Sequence, residues 1–301
     1  MSTATLPSFA TAASAQSLSV LYPSQADETI TISTSTDAST WPPPTRFPAW
    51  LVSSVAPSAT VWNNTLYVLG ASDGSEKTLQ IANNQSNSVV SLPPAITTDI
   101  SPTLVANGNA LWAVFRSSSG DNTLFVTQSS DGTNWDLHQL PPAITTSSSP
   151  SAAVLNGTVY VAFRSSGDKT LFVTKSQATT GWDLTQLPPA ITTNSSPAMA
   201  AMNGALFMVF LSSSSDHTMF ISKSTDGTTW DLHQLPPTMT SQAAPTIATF
   251  NNRLYVLFQD LNNNNVWMTS STDGVQWPSL TVLPNSIAVG SEPWTPPLPP
   301  P

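Results

Sequence analysis

Carboxylate and guanidinium side chains recur at matching places in the middle of this 301-residue sequence. An aspartate stands two residues before a threonine at Asp121, Asp168 and Asp216, each time in a short polar loop. Arg116 and Arg164 end the apolar runs that lead into the first two of these loops. Carboxylates, fork-shaped guanidinium groups and hydroxyls together suit hydrogen bonding to a neutral, hydroxyl-rich ligand. The recurrence predicts several similar polar sites rather than one unique site.

The same residues also have a purely structural interpretation. An aspartate in this position can cap its own turn by accepting the backbone N–H two residues further on. Each arginine could then pair with the neighbouring aspartate as an ordinary surface ion pair. The sequence leaves both interpretations open for any single residue.

The elements that must position these groups follow from an internal repeat. Trp135, Trp182, Trp230 and Trp277 follow one another at steps of 47, 48 and 47 residues. A step of that size indicates a chain of stacked supersecondary units. The six predicted units span residues 7–50, 56–97, 101–145, 149–192, 196–240 and 244–284. The remaining segment, 285–301, is rich in proline and is predicted to be an extended or unstructured tail.

Each unit divides into four short apolar runs separated by turn signals. In the third unit the runs are Thr103–Ala106, Leu111–Arg116, Thr123–Thr127 and Trp135–Leu140. Their length and composition predict strands, and the doubly apolar second run predicts burial on both faces. Six units of four antiparallel strands predict an all-β fold, a six-bladed β-propeller. The alternative is an open β-solenoid array, which also repeats.

Composition limits the partners. The formal net charge is −9 with only 8 Lys plus Arg, which argues against nucleic-acid or anionic-membrane binding. There is no cysteine, and the three histidines form no cluster with metal-ligand spacing, so we expect no cofactor and no metal. No run reaches transmembrane length. The first residues lack the features of a secretory signal, so the expected location is cytoplasmic, or outside the cell by a non-classical route.

The third turn of the units carries a recognisable motif. The stretch Ser129–Trp135 reads SSDGTNW, and it recurs as STDGTTW at Ser224–Trp230 and as STDGVQW at Ser271–Trp277. Two further copies are altered, with Ala38 in place of the glycine and Ala178 in place of the aspartate. This turn resembles the Asp-box of sialidase-like propellers. The resemblance implies that Asp131, Asp226 and Asp273 are structural and lie on the face opposite the ligand.

A sialidase-like activity needs more than this turn. By resemblance to sialidases, such an activity would require an arginine triad and a Tyr/Glu nucleophile pair. Only four arginines are present, the tyrosines Tyr67, Tyr160 and Tyr255 share one repeated strand position, and Glu76 has no evident partner. The catalytic constellation is therefore not found, and we expect no enzyme activity.

In size, composition and short repeated blades, the chain is also similar to the propeller lectins of fungi and bacteria. That resemblance implies a carbohydrate-binding lectin with several shallow sites around one face, whose partners are the terminal sugars of glycoproteins or glycolipids. A glycoside-acting enzyme of sialidase-like fold and a protein-interaction propeller remain alternatives. The loops between the second and third strands should share a face with the interblade connections. The candidate sugar-binding residues are Arg116, Asp121, Arg164, Asp168 and Asp216.

Overall fold

A computed structural model of the chain describes residues 9–24, 27–73, 75, 77–141, 144–189, 191–262 and 265–287. It contains six sheets, and each sheet consists of four strands that are consecutive in the chain and antiparallel to their neighbours. The prediction of a six-bladed β-propeller with four strands per blade is confirmed. In the described part of the chain, the helical content is one 3-10 turn at Asn285–Ile287. No helix there is long and apolar enough to span a membrane.

The first three blades contain strands β1 to β12. The first blade consists of β1 (Ala10–Ala13), β2 (Leu18–Pro23), β3 (Ile30–Ser35) and β4 (Thr45–Arg46). The second consists of β5 (Ser58–Trp62), β6 (Thr65–Ala71), β7 (Leu79–Asn83) and β8 (Val89–Ser91). The third consists of β9 (Thr103–Asn107), β10 (Ala110–Arg116), β11 (Leu124–Ser129) and β12 (His138–Gln139).

The last three blades contain strands β13 to β24. The fourth blade consists of β13 (Ser151–Leu155), β14 (Thr158–Arg164), β15 (Leu171–Ser176) and β16 (Thr185–Gln186). The fifth consists of β17 (Ala198–Met202), β18 (Ala205–Leu211), β19 (Met219–Ser224) and β20 (His233–Gln234). The sixth consists of β21 (Thr246–Phe250), β22 (Arg253–Gln259), β23 (Val266–Ser271) and β24 (Ser279–Val282).

The hydrophobic core lies between blades rather than inside one sheet. Successive side chains of a strand point to opposite faces, and every residue of the second strand β18 is buried. Side chains of neighbouring blades therefore share a cluster: Trp112 and Val126 of the third blade pack with Val161 and Phe163 of the fourth. This arrangement explains why the second run of each unit is apolar at consecutive positions.

The fourth strand of the third blade is shorter than the predicted run Trp135–Leu140, because side-chain hydrogen bonds replace part of the ladder. The amide of Asp136 donates to the carbonyl of Gln128 at 3.1 Å, while its carboxylate Oδ1 accepts the Gln128 N–H at 2.6 Å. Trp135 is buried just before this point. Regular pairing is therefore confined to His138–Gln139.

The ring closes by packing of the last blade against the first. Phe9 and Leu18 share a buried cluster with Phe250 and Leu257 of the sixth blade. The hydroxyl of Tyr22 also donates to the carbonyl of Ser286 at 3.1 Å. Both terminal sheets are built from their own strands, so no strand is exchanged between the two ends. The proline-rich stretch 288–301 lies outside the described residues.

The six innermost strands surround a central channel of about 480 Å³. Hydroxyl groups join neighbouring inner strands, as where Thr103 Oγ1 accepts the Ala152 N–H at 3.1 Å and Ser151 Oγ accepts the Met199 N–H at 2.9 Å. The described lining consists of Ala, Ser, Thr, Pro and larger apolar residues, with no ionisable side chain. The channel therefore offers no acid, base or arginine to a substrate.

Candidate functional site

The loops between second and third strands meet the interblade connections at one edge of the ring, here called the rim. Thr145, in the connection after the third blade, pairs with Thr123 of that blade's own loop. The next residue, Thr146, pairs with Ser165 at the loop of the following blade. The same double pairing recurs at 192–193 and 240–241. Each connection is therefore held between two loops, which creates equivalent clefts at successive blade boundaries.

The three candidate carboxylates each cap their own loop. Asp121 Oδ1 accepts the Thr123 N–H at 3.0 Å. Asp168 Oδ1 accepts both the N–H and the hydroxyl of Thr170, at 3.2 and 2.6 Å. Asp216 Oδ1 accepts the N–H and hydroxyl of Thr218, at 3.1 and 3.0 Å, and a further hydroxyl hydrogen bond from Ser214 at 2.6 Å.

These capping bonds hold the carboxylates in the charged state. The pKa of Asp121 is lowered mainly by the Thr123 amide, that of Asp168 by the Thr170 hydroxyl, and that of Asp216 by the Ser214 hydroxyl. All the capping bonds end on Oδ1, which leaves Oδ2 as an acceptor for a ligand. One carboxylate can therefore cap its turn and still receive a hydrogen bond from a bound hydroxyl.

The two candidate arginines do not pair with these aspartates. Arg116 binds Asp99 of the preceding connection, with Nη2 and Nε at 2.5 and 3.2 Å from Asp99 Oδ1. Its Nη1 also donates to Asn122 Oδ1 at 3.3 Å. The pairing of arginine with its capping aspartate, one of the two interpretations above, is therefore wrong for Arg116. Asp99, which accepts the hydrogen bonds of Arg116, stands seventeen residues before it in the chain.

Arg164 occupies the equivalent position in the fourth blade but has a different environment. Only 5% of the residue is exposed, and burial lowers the pKa of its guanidinium group. Its Nη1 donates to Ser147 Oγ at 2.7 Å, where Ser147 replaces Asp99 of the previous connection. Its buried Nε has no hydrogen-bond partner in the described part of the chain. A guanidinium group without a carboxylate retains donor capacity that a ligand could use.

A residue with left-handed backbone follows each capping aspartate, a feature that the repeat pattern does not predict. The φ angles are 61° at Asn122, 68° at Lys169 and 57° at His217. The carbonyl groups of these residues accept N–H groups of the next connection at 2.9 to 3.1 Å, which ties each loop to its cleft. The backbone is thus repeated while the side chain changes from amide to ammonium to imidazole. The clefts are therefore alike in shape and unequal in chemistry.

The first blade adds an aromatic group to the rim. Asp27 caps Thr29 in the usual way, and its Oδ2 accepts Arg46 Nη2 at 2.5 Å. The Arg46 guanidinium lies 4.0 Å from the ring centroid of Trp50, a cation–π contact. Trp50 is 65% exposed and has a left-handed φ of 52°. It stands where the second blade has Ala95, so comparing the repeats could have singled it out.

No protein-family model matches this sequence, and a search of curated protein sequences gives no match either. Solved structures do match. The Aleuria aurantia lectin, described as a six-bladed propeller with a novel fucose recognition mode, has a TM-score of 0.71 and 11% identity, over 96% of this chain and 100% of that one. The SapL1 lectin in complex with alpha methyl fucoside has a TM-score of 0.65 and 14% identity, over 93% and 96%. The chain has the fold of these lectins.

A weaker match is to a neuraminidase-like protein. This protein, of subtype N11 from A/flat-faced bat, has a TM-score of 0.59 and 10% identity, over 93% of this chain and 87% of that one. At such identities the likeness concerns the fold alone. The ligand of the rim therefore depends on the rim's own residues.

The turns that resemble the Asp-box lie at the opposite end of the strands. Asp226 Oδ1 accepts the N–H groups of Thr228 and Thr229, both at 2.7 Å. Ser224 Oγ accepts the N–H of Gly227, whose φ is +75°. Asp131 and Asp273 make the same pair of bonds to their turns. Because every donor belongs to the same turn, these carboxylates act as local caps.

Replacing Asp226 by alanine should lower the melting temperature by a few degrees and leave glycan affinity unchanged. The variant loses two capping bonds on the face away from the rim. The fourth blade already carries Ala178 at this place, where Ser176 Oγ donates to Thr180 O at 2.8 Å, so one loss is tolerated. Thermal unfolding and glycan binding should be measured on the same preparation. Lost binding at an unchanged melting temperature would contradict the structural role.

Acid should destabilise the fold through its capping aspartates. The pKa of Asp121, Asp168, Asp216, Asp226 and Asp273 is lowered from 3.8 by turn hydrogen bonds. A carboxyl group whose pKa is depressed by folding stabilises the protein above its unfolded pKa, and this contribution is lost as the pH falls. The melting temperature should thus be steady from about pH 7 to 5 and should fall below about pH 4.

The control for this titration is Asp226→Asn, because an amide keeps the Oδ1 acceptor and has no proton to gain. Its melting temperature should fall less than that of the parent protein between about pH 5 and 3. A melting temperature independent of pH down to about pH 2 would show that these caps do not contribute through their charge.

Proposed function

We propose that this chain is a carbohydrate-binding lectin with several similar, shallow sugar sites around the rim of the propeller. The observation that carries the proposal is the recurrence of one cleft at successive blade boundaries. Each cleft has a connection held between two loops and a capping carboxylate whose Oδ2 takes no part in the cap. Arg116, Asp121, Arg164, Asp168 and Asp216 are the proposed sugar-binding residues. A repeated polar cleft suits a repeated terminal sugar better than one unique substrate.

The chemistry of the clefts fits sugar hydroxyls. A carboxylate accepts hydrogen bonds from vicinal hydroxyls, and a guanidinium group donates two in parallel. The charge of Arg116 is balanced by Asp99, so the cleft between the second and third blades favours a neutral ligand. An exposed polar cleft excludes little apolar surface, so each site alone should be weak. Several sites on one rim should then raise the avidity for clustered glycans.

The rim and the channel both favour binding over catalysis. The described lining of the central channel has no ionisable group, and Arg116 and Arg164 stand in separate clefts. The neuraminidase-like match supports a shared architecture, while a glycosidase would need two carboxyl groups facing one bond. Fucosylated glycans are the first ligands to test, because the Aleuria lectin was solved with Fucα1-6GlcNAc and SapL1 with methyl fucoside.

A glycan array probed with the full chain tests the proposal, with chromogenic glycosides assayed in parallel. We expect binding to glycans that share one terminal sugar, stronger at high glycan density, and no turnover of any glycoside. Turnover without glycan binding would favour the sialidase-like alternative. An array without any signal would favour a protein-interaction propeller.

A further inference from the structure

Several blade interfaces are each filled by one aromatic ring. At each of these interfaces, the ring comes from the second strand of one blade and lies against the third turn of the following blade. Trp112 meets Trp182 edge to face, with ring centroids 6.4 Å apart. Tyr160 and Phe207 lie so close to the glycines of the next turns that a Cβ there would be 2.2 and 2.4 Å from a ring carbon. Tyr67 lies against Gly132 in the same way. We call these rings the interblade plugs.

The plug is also present where the ring closes. Tyr255 of the sixth blade shares a buried cluster with Ala38 and Trp41 of the first blade's third turn. Five of the six blade interfaces are therefore filled by an aromatic ring at one register position among the described residues. The pattern matches the repeated aromatic position noted in the sequence.

The interface between the first and second blades has no plug. Ser19 occupies the position, since it pairs with Ala12 and Thr34 as Tyr67 pairs with Thr60 and Asn83. Its hydroxyl is 2.9 Å from Thr34 Oγ1. The facing turn of the second blade also lacks the SxDG motif. The two blades share a buried cluster that includes Leu21 and Val68, and an open groove of about 460 Å³ lies beside it.

The groove is polar at its mouth and aliphatic at its floor. Ile32 and Leu66 provide apolar surface, while Gln16, Asn64 and Asn84 bring side-chain amides from both blades. The side-chain amides of Gln16 and Asn64 make no hydrogen bond with another described residue, whereas the backbone N–H of Gln16 donates to Ser14 Oγ at 3.1 Å. Asn84 uses Oδ1 to accept the Leu66 N–H at 3.0 Å, which leaves its NH₂ group as a donor. Donors and acceptors thus surround a small apolar floor.

Among its described residues, the lining of the groove contains one charged side chain, that of Arg46. The Asp27 carboxylate balances this charge at a distance of 2.5 Å. A neutral ligand with hydroxyls along its edge and C–H groups on its face matches this lining. The volume is that of a small-molecule pocket and accommodates one or two sugar rings.

We propose that the groove between the first and second blades binds one neutral sugar unit, at a site distinct from the rim clefts that carry Asp121, Asp168 and Asp216. The inference rests on the proposed lectin function and adds to it a single site of different construction. The rim clefts use carboxylate and guanidinium groups, whereas the groove uses the side-chain amides of Gln16, Asn64 and Asn84, its apolar floor and the space that a missing ring leaves.

Filling the groove tests the proposal. Ser19→Tyr installs the ring that Tyr67, Tyr160 and Tyr255 supply at equivalent positions, so the variant is expected to fold. Ser19→Ala leaves the groove open and is the matched control. Calorimetric titration with methyl α-L-fucoside, methyl β-D-galactoside and methyl N-acetyl-β-D-glucosaminide measures the number of sugars bound per chain. A crystal of the parent protein soaked in the bound glycoside locates the site.

We expect Ser19→Tyr to bind one sugar fewer per chain than the parent protein and Ser19→Ala to bind the same number. Binding to dense glycan arrays through the rim should persist in both variants. A folded Ser19→Tyr variant with the parent's stoichiometry overturns the inference, as does a soaked crystal with sugar on the rim and none in the groove. A parent protein that binds no glycan in any format contradicts the lectin function itself, so the two failures are distinguishable.

Discussion

The triple variant Asp121→Ala, Asp168→Ala, Asp216→Ala is expected to lose binding to dense glycan surfaces by about 100-fold or more. Each substitution removes a rim carboxylate whose Oδ2 is available to a sugar hydroxyl. Because avidity multiplies weak contacts, losing three clefts should cost far more than losing one. Binding to a high-density array, with folding checked by circular dichroism, measures the effect.

Two control variants separate the carboxylate from the cap. Asparagine at the same three positions keeps the Oδ1 acceptor of the turn and replaces the second oxygen by a donor. This variant should fold as the parent does and still lose avidity. Alanine at Asp131, Asp226 and Asp273 removes similar caps from the opposite face, and should lower stability without lowering avidity. Full binding strength in a folded Asp121/168/216→Ala protein would mean that these carboxylates only cap turns.

Gly227→Ala should be the most destabilising single change, lowering the free energy of unfolding by about 2–5 kcal/mol. Its φ of +75° disfavours any side chain, and a Cβ would lie 2.2 Å from Tyr160 Cε1 of the preceding blade. The clash with Tyr160 forces this interblade plug out of its place. Equilibrium denaturation in urea measures the loss.

Gly181→Ala is the matched control for the backbone term. Gly181 has the same φ of +75° in the third turn of the fourth blade, two residues beyond the position equivalent to Gly227, and no atom lies within 4 Å of a Cβ built on it. The Gly181→Ala variant should lower the free energy of unfolding by about 1–2 kcal/mol, from the left-handed backbone alone. Equal losses in the two variants would mean that Tyr160 yields freely, and that the plugs contribute little to blade packing.

The architecture could be predicted because the repeat presents the same evidence several times. Asn and Gly in the first hairpins, as at Asn156 and Gly157, have the positive φ that tight turns need. The apolar second strands indicated burial on both faces, and blade packing provides it. A shared strand position for Tyr67, Tyr160 and Tyr255 indicates packing, and these three rings are interblade plugs. The absence of that ring at Ser19 was also visible in the repeat.

The contacts within the rim clefts could not be predicted in the same way. The acceptor of Arg116 is Asp99, which belongs to the preceding connection and approaches only once two blades have packed. The burial of Arg164 likewise depends on the packing of neighbouring blades. The left-handed backbone at Lys169 has no sequence signal, since lysine does not favour a positive φ. The environments of the two arginines are tertiary and differ between blades, so the repeat pattern does not contain them.

The number of sugars bound per chain tests the lectin account most directly. The measurement is calorimetric titration of the full chain with the monosaccharide glycoside that the array selects. We expect more than one sugar per chain, weak binding at each site, and a much stronger apparent affinity for a multivalent form of the same sugar. A single sugar per chain, with no gain from multivalency, would contradict it.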